Sequence, residues 1–196
     1  MIHHPFESIH SNVRDRLIFT FIGLSLLLLL ILNLVGQPLI NPSAPYGIVS
    51  FELARDPAQA QAILDSWDQA AQMRAAFSLG LDYLFIPLYA IALTLTCLWA
   101  ARFRRERRRF PTILVIIGLP GTMLAWGQLL AAGLDGIENM ALARMLFGAV
   151  AAPWPQIASI CAAAKFGLVA AGIVYSLLAL IFFIGAAISH RQRVRT

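Results

Sequence analysis

Charge is scarce in this chain: 13% of its 196 residues are Asp, Glu, Lys or Arg, against roughly 25% in a soluble domain. With 59% hydrophobic residues and a mean hydropathy of +0.74, that shortage excludes an ordinary soluble globular protein and indicates an integral membrane protein. Cysteine is nearly absent as well. Cys97 and Cys161 form no CxxC motif and have no histidine beside them, so neither a disulfide nor a metal site is expected. Histidine is missing from every long apolar run, which removes the ligands that zinc-protease or haem chemistry needs. HExxH, GxSxG, P-loop and GxGxxG patterns are lacking where they would matter. No metal and no cofactor is expected.

What is present reads as a series of apolar segments with polar punctuation. Residues 1–16 form a polar tail whose His3, His4 and His10 lack a ligand-rich partner segment, so a solvated tail is expected. Leu17 to Val35 is free of charge and about as long as a bilayer core. It exceeds a signal-peptide apolar region, and the small-residue site near Ser43-Ala44 is followed by Pro45, so a retained first span (17–35) is expected. Residues 36–50 read as a loop, punctuated by Gly36, Pro38, Pro42, Pro45 and Gly47. Asp56-Pro57 then supplies an N-cap and a proline at the first helical position. The spacing of Ala60, Ile63, Leu64 and Trp67 predicts an amphipathic helix over 57–71, within the 36–76 loop. That helix lies on the membrane face or caps the spans, with Trp67 suited to the interface. A second span is predicted over 77–101, kinked at Pro87 and carrying Asp82 about 7–8 Å inside. A third runs over 112–133 and continues to about 147. Its Gly118, Gly121, Gly127 and Gly133 permit close helix packing or, as the less favoured alternative, a broken helix lining a cavity. A fourth covers 157–189.

The net charge of +5 would suit a nucleic-acid surface only if basic residues coated a fold. Here they lie between apolar runs and act as topology signals, so no nucleic-acid partner is expected. With both termini cytoplasmic, eleven of the fifteen basic residues fall on the inner side, six of them in Arg102–Arg109. Arg55, Arg74, Arg144 and Lys165 remain outside or at outer span ends. The expected architecture is an all-α integral membrane protein of the inner (plasma) membrane, a single membrane domain over 1–196. Four transmembrane helices form a bundle, with one amphipathic helix in the outer loop.

The sharpest feature is Asp135-Gly136-Ile137-Glu138-Asn139, which closes the third apolar run. Ionisable groups inside a membrane segment are costly and mark candidate sites. Asp135, Glu138 and Asn139 share one helical face, and Gln128 extends it two turns inward. The topology brings Asp82, Lys165 and Glu52 to the same outer level, Glu52 hanging from the segment before the amphipathic helix. The candidate ligand-binding residues are therefore Glu52, Asp82, Gln128, Asp135, Glu138, Asn139 and Lys165, with Arg144 at the margin. One lysine cannot neutralise several buried carboxylates; the surplus must be protonated, wetted, paired or bound by a cationic ligand.

Three readings follow. The first is a binding or accessory protein whose acidic pocket takes a lipid headgroup, a cation or a partner helix. The second is a membrane enzyme acting on a lipid or isoprenoid, with Asp135 or Glu138 as acid or base. The third is a structural subunit whose cluster is a closed ion-pair network. Binding is preferred over catalysis. Membrane lipids are the expected partners, with a second membrane protein or another copy of the chain as further candidates. In order and spacing, Phe51-Glu52-Leu53-Ala54, Leu81-Asp82-Tyr83-Leu84-Phe85, Asp135-Gly136-Ile137-Glu138-Asn139 and Lys165-Phe166 resemble uncharacterised four-span bacterial inner-membrane proteins. The likeness covers residues 17–189. It implies the topology and the site residues, with no named activity attached.

Overall fold

The architecture follows from where the chain can satisfy its backbone without water, and among the described residues it is all helix. The computed structural model describes the backbone of residues 4–106 and 120–195 and the side chains of 4–101 and 121–185. A 3-10 turn, Pro5–Ser8, precedes α1, Ser11–Gly36. A second 3-10 turn, Gln37–Leu39, leads to the short α2, Ile48–Glu52, and then to α3, Pro57–Asp65. Three long helices complete the chain: α4, Gln69–Glu106, α5, Pro120–Phe147, and α6, Trp154–Arg195.

Three helical segments are long and apolar enough to cross a membrane: Ser11–Leu39, Gln69–Ala101 and Trp154–Gly185. The described part of α5 is not among them. It spends Gln128, Asp135, Glu138 and Arg144 inside 28 residues, and the start of the predicted third span, 112–119, lies outside the described residues, as does the latter part of the Arg102–Arg109 run. The helices overrun their predicted ends because the hydrogen-bond ladder continues into the polar flanks. Span two lies inside a single 38-residue helix that passes through Pro87 without a break.

α4 is the hub. It packs along α1, α5 and α6, and α5 packs along α6, whereas α1 lies mainly against α4. Very close approach occurs at Gly121, where a Cβ would meet the Cβ of Ala101 at 2.6 Å, and at Gly172, which lies against the Gln128 carboxamide. Gly133, by contrast, faces open space. The small-residue packing expected of the third helix thus applies at Gly121 and at Gly127, where a Cβ would meet Leu168 at 3.4 Å, and not at Gly133; Gly118 lies outside the described residues.

The predicted amphipathic helix is present but shorter. Asp56 Oδ1 accepts the Gln59 N–H at 2.9 Å, and Pro57 begins the helix, as the N-cap reading expects. It stops at Asp65 because a second cap intervenes: Asp68 Oδ1 accepts the Ala71 N–H at 2.8 Å and starts α4. Ala60, Ile63, Leu64 and Trp67 are all buried, in one cluster with Leu39, Phe51, Leu142 and Met145. The segment is therefore a lid packed onto the ends of α4, α5 and α6. Trp67 is 3% exposed and donates Nε1–H to the Leu39 carbonyl at 2.9 Å, so it is a core residue and not an interfacial one.

The N-terminal tail also departs from expectation. His4 is 2% exposed. Its ring lies 4.7 Å from that of Trp126 and 5.3 Å from that of Phe6, and burial lowers its pKa below the usual histidine value, opposed by Glu7. One histidine of three in a polar tail gives no sign of an aromatic partner 122 positions away.

The Trp67–Leu39 bond generates a first prediction. Trp67→Phe keeps most of the ring volume but strands a buried carbonyl, which costs about 1–3 kcal/mol. Thermal unfolding of the full chain in detergent is expected to show that loss, and an unchanged midpoint would mean the bond does not hold the lid.

Candidate functional site

Beneath the lid, α5 presents Asp135, Glu138 and Asn139 on one face, and all three are buried. The i, i+3, i+4 spacing does this directly, since such positions stack over one another on a helix. Lys165 on α6 reaches across to them. Its Nζ lies 2.6 Å from Asp135 Oδ1 and 2.9 Å from the Glu138 carboxylate. The other Asp135 oxygen accepts the Tyr89 hydroxyl from α4 at 2.9 Å. Asn139 Nδ2 donates to Asp82 Oδ2 at 2.6 Å, which ties α5 to α4 at the same level. Glu52, at the end of α2, closes the group from the lid side, with Oε2 3.9 Å from Lys165 Nζ.

Six of the seven candidates therefore meet: Glu52, Asp82, Asp135, Glu138, Asn139 and Lys165. Gln128 stands apart. It is fully buried two turns along α5, where Nε2 donates to the Leu168 carbonyl at 2.9 Å and to the Leu124 carbonyl at 3.3 Å. It joins α5 to α6 and does not reach the carboxylates. Arg144 turns away to cover the Trp154 ring at 5.8 Å. Both cysteines are buried and free, and Cys97 faces Ser176 and the Gly172 carbonyl at 3.8 and 3.9 Å.

A cavity of about 530 Å³ opens from this cluster, within the roughly 300–1,000 Å³ usual for ligand sites. Glu52, Asp82, Asp135, Asn139 and Lys165 line one end. The remainder is mainly apolar, with Ile22, Leu26 and Leu29 of α1, Leu79, Phe85 and Leu93 of α4, and Phe166, Val169 and Ile173 of α6, interrupted by Ser25 and Asn33 of α1 and Ser78 of α4. Along α1 the lining runs from Ile22 past Asn33, about 16 Å at 1.5 Å per residue. Glu138 is not part of the wall and is fully buried behind Lys165.

Two contributors escaped sequence reasoning. Tyr89 shares the Asp82 face by spacing, yet nothing in the sequence marked it as the second donor to Asp135. The wall supplied by α1 reads as an ordinary apolar span, because its polar residues Ser25 and Asn33 bond back to the Phe21 and Leu29 carbonyls of their own helix and report no cavity.

The comparisons add no relative. No family model, no curated protein and no solved structure matches this chain. The site stands on its own geometry.

Charge at the cluster is unbalanced. Four carboxyl groups surround one ammonium, and Glu52 is the member outside the long apolar helices. Burial raises its pKa above the ordinary value, the Lys165 charge opposes that rise, and its side chain also meets Glu138. The folded chain therefore holds a proton on Glu52 at pH values where the unfolded chain has lost it. This contribution to stability is fully present below the ordinary carboxyl value of 4.5 and is lost as pH rises through the raised one.

Two outcomes are expected. Lys165→Met leaves Asp135 and Glu138 facing each other without a cation and should cost about 3–5 kcal/mol; adding Asp135→Asn should recover part of it in the same unfolding assay. A midpoint left unchanged by Lys165→Met alone would rule out the ion pair as the pin between α5 and α6. Glu52→Gln should gain stability relative to wild type as pH rises from about 4 to about 8, read as the difference between melting temperatures. A difference that does not change with pH would mean that Glu52 is not held protonated.

Proposed function

We propose that the protein is a membrane-embedded binding protein for an amphiphile. In this reading the ligand's apolar chain lies in the groove between α1, α4 and α6, and its polar head meets the cluster under the lid. The supporting observation is the continuity of the two surfaces: one cavity joins Ile22, Leu29 and Ile173 to Glu52, Asp82 and Lys165. A cavity with an apolar body and a few polar groups at one end matches the chemistry of an amphiphile. The orientation proposed with it follows the basic-residue asymmetry: four spans in a bundle within the inner membrane, both termini cytoplasmic, and the lid outside.

The geometry bears unevenly on the other readings. An enzyme using Glu138 as acid or base needs that carboxyl to touch substrate, yet it is sealed behind Lys165. Asp135 lines the cavity but has both oxygens engaged, by Lys165 and Tyr89. A closed ion-pair network accounts for Asp135, Glu138 and Lys165 and leaves the cavity and Glu52 unexplained.

The test uses the full chain in nanodiscs of a choline phospholipid, with dodecanol as the probe. Dodecanol is expected to raise the melting temperature in a saturable manner. Leu29→Trp and Val169→Trp, which fill the groove, should weaken its apparent affinity by about tenfold or more, equivalent to about 1.4 kcal/mol. Saturable binding that both substitutions leave intact would place the ligand elsewhere, and no saturable binding at all would overturn the proposal.

A further inference from the structure

We infer that the head group taken by this site is a protonated amine, seated between Glu52 and Asp82 at the lidded end of the cavity. The inference rests on the amphiphile reading above and adds the chemistry of the head.

The first argument is the use to which the resident cation is already put. Lys165 gives its short bonds to Asp135 and Glu138, at 2.6 and 2.9 Å. Its 3.9 Å separation from Glu52 Oε2 is beyond hydrogen-bond reach. Glu52 is 9% exposed, lines the cavity, and has in Oε2 a buried oxygen that accepts no hydrogen bond. Asp82 lines the cavity from α4 and accepts a bond from a neutral carboxamide, that of Asn139. Two cavity-wall carboxyls on different elements thus hold no close cationic partner of their own.

The second argument concerns what else could fill that role. Among the described residues Lys165 is the one cation paired with the cluster, and Arg144 is turned onto Trp154. No grouping of His, Cys, Asp and Glu among the described residues is arranged to hold a metal ion. A head that brings both positive charge and N–H donors satisfies an acceptor-only pair of carboxylates. A phosphate or sulfate head meets the same carboxylates as repulsion, with the lysine already committed.

Proton exchange accompanies the event. The titratable and charged groups on the cavity wall around the seat are Glu52 from α2, Asp82 and Tyr89 from α4, Asp135 from α5 and Lys165 from α6, with Glu138 behind Lys165. Burial favours the neutral form of Glu52. An ammonium arriving beside it reverses that preference, so Glu52 gives its proton to solvent as the amine binds.

The experiment compares probes that share a tail and differ in the head, on the full chain in choline-lipid nanodiscs. Dodecylamine is expected to bind about tenfold or more tightly than dodecanol, with dodecyltrimethylammonium, which has charge but no N–H, below the amine and dodecyl sulfate weakest. Glu52→Gln and Asp82→Asn should each reduce the advantage of the amine over the alcohol, read as the ratio of the two apparent affinities measured in the same variant. Calorimetry in buffers of different ionisation enthalpy should register proton release in wild type and none in Glu52→Gln. A second arm exchanges part of the choline lipid for an ethanolamine phospholipid. Competition with dodecylamine identifies a bilayer headgroup as a source of the amine, and its absence points to a free amphiphile. Equal affinity for amine and alcohol, or an advantage that survives both substitutions, overturns the inference and leaves the amphiphile reading standing. Loss of dodecanol binding in wild type removes both.

Discussion

Lys165 carries a full charge into the heart of an apolar molecule, and the arrangement of the long helices depends on how that charge is met. Burying an ammonium is tolerable only against close anionic partners, and α5 provides two of them one turn apart, Asp135 and Glu138. That fixes the rotation of α5 against α6. Tyr89 and Asp82 then commit α4 to the same level, through Asp135 and Asn139. Three helices are held in register by one polar layer, while Gln128 adds a second tie lower down, with its carboxamide bonded to the Leu168 carbonyl and lodged against Gly172. Such layers specify arrangement more than they add stability.

The polar layer could not serve this way without the lid. Leu39, Phe51, Ile63, Leu64 and Trp67 form an apolar cover over the helix ends, and the cover keeps the cluster out of bulk water. Packing the lid also carries Glu52 inward. The same burial that makes α2 and α3 stable therefore loads a fourth carboxyl onto a site with one cation, which makes the charge surplus a consequence of the fold.

Much of this was legible in the sequence, for local reasons. Asp56-Pro57 announces a helix start with its own cap, and the face formed by Asp135, Glu138 and Asn139 needs nothing beyond helical spacing. Lys165 and Asp82 could be placed at the same level because the apolar runs count out the membrane. The failures are those of tertiary structure. Trp67 looks interfacial by residue type and becomes core because Leu39, 28 positions earlier, offers a carbonyl. His4 looks solvated until Trp126 is beside it. Gln128 lies on the correct face but at the wrong depth, since its partner is the α6 backbone. The start of α4 was misjudged because Asp68 caps it three residues after α3 ends.

The walls of the cavity differ in how they are fastened. α4, α5 and α6 are cross-linked by Lys165, Asp135, Glu138, Asp82 and Asn139, and in the described residues α1 has no part in that network, resting mainly on α4 through apolar side chains. The cluster is thus fastened by ion pairs and hydrogen bonds, and the α1 side of the groove by apolar packing. On the amphiphile reading proposed above, the chain would meet in α1 a wall that no ion pair ties to the cluster among the described residues. On that reading, recognition of the head and recognition of the chain would reside in separate halves of the molecule, and substitutions along α1 would retune the second without touching the first.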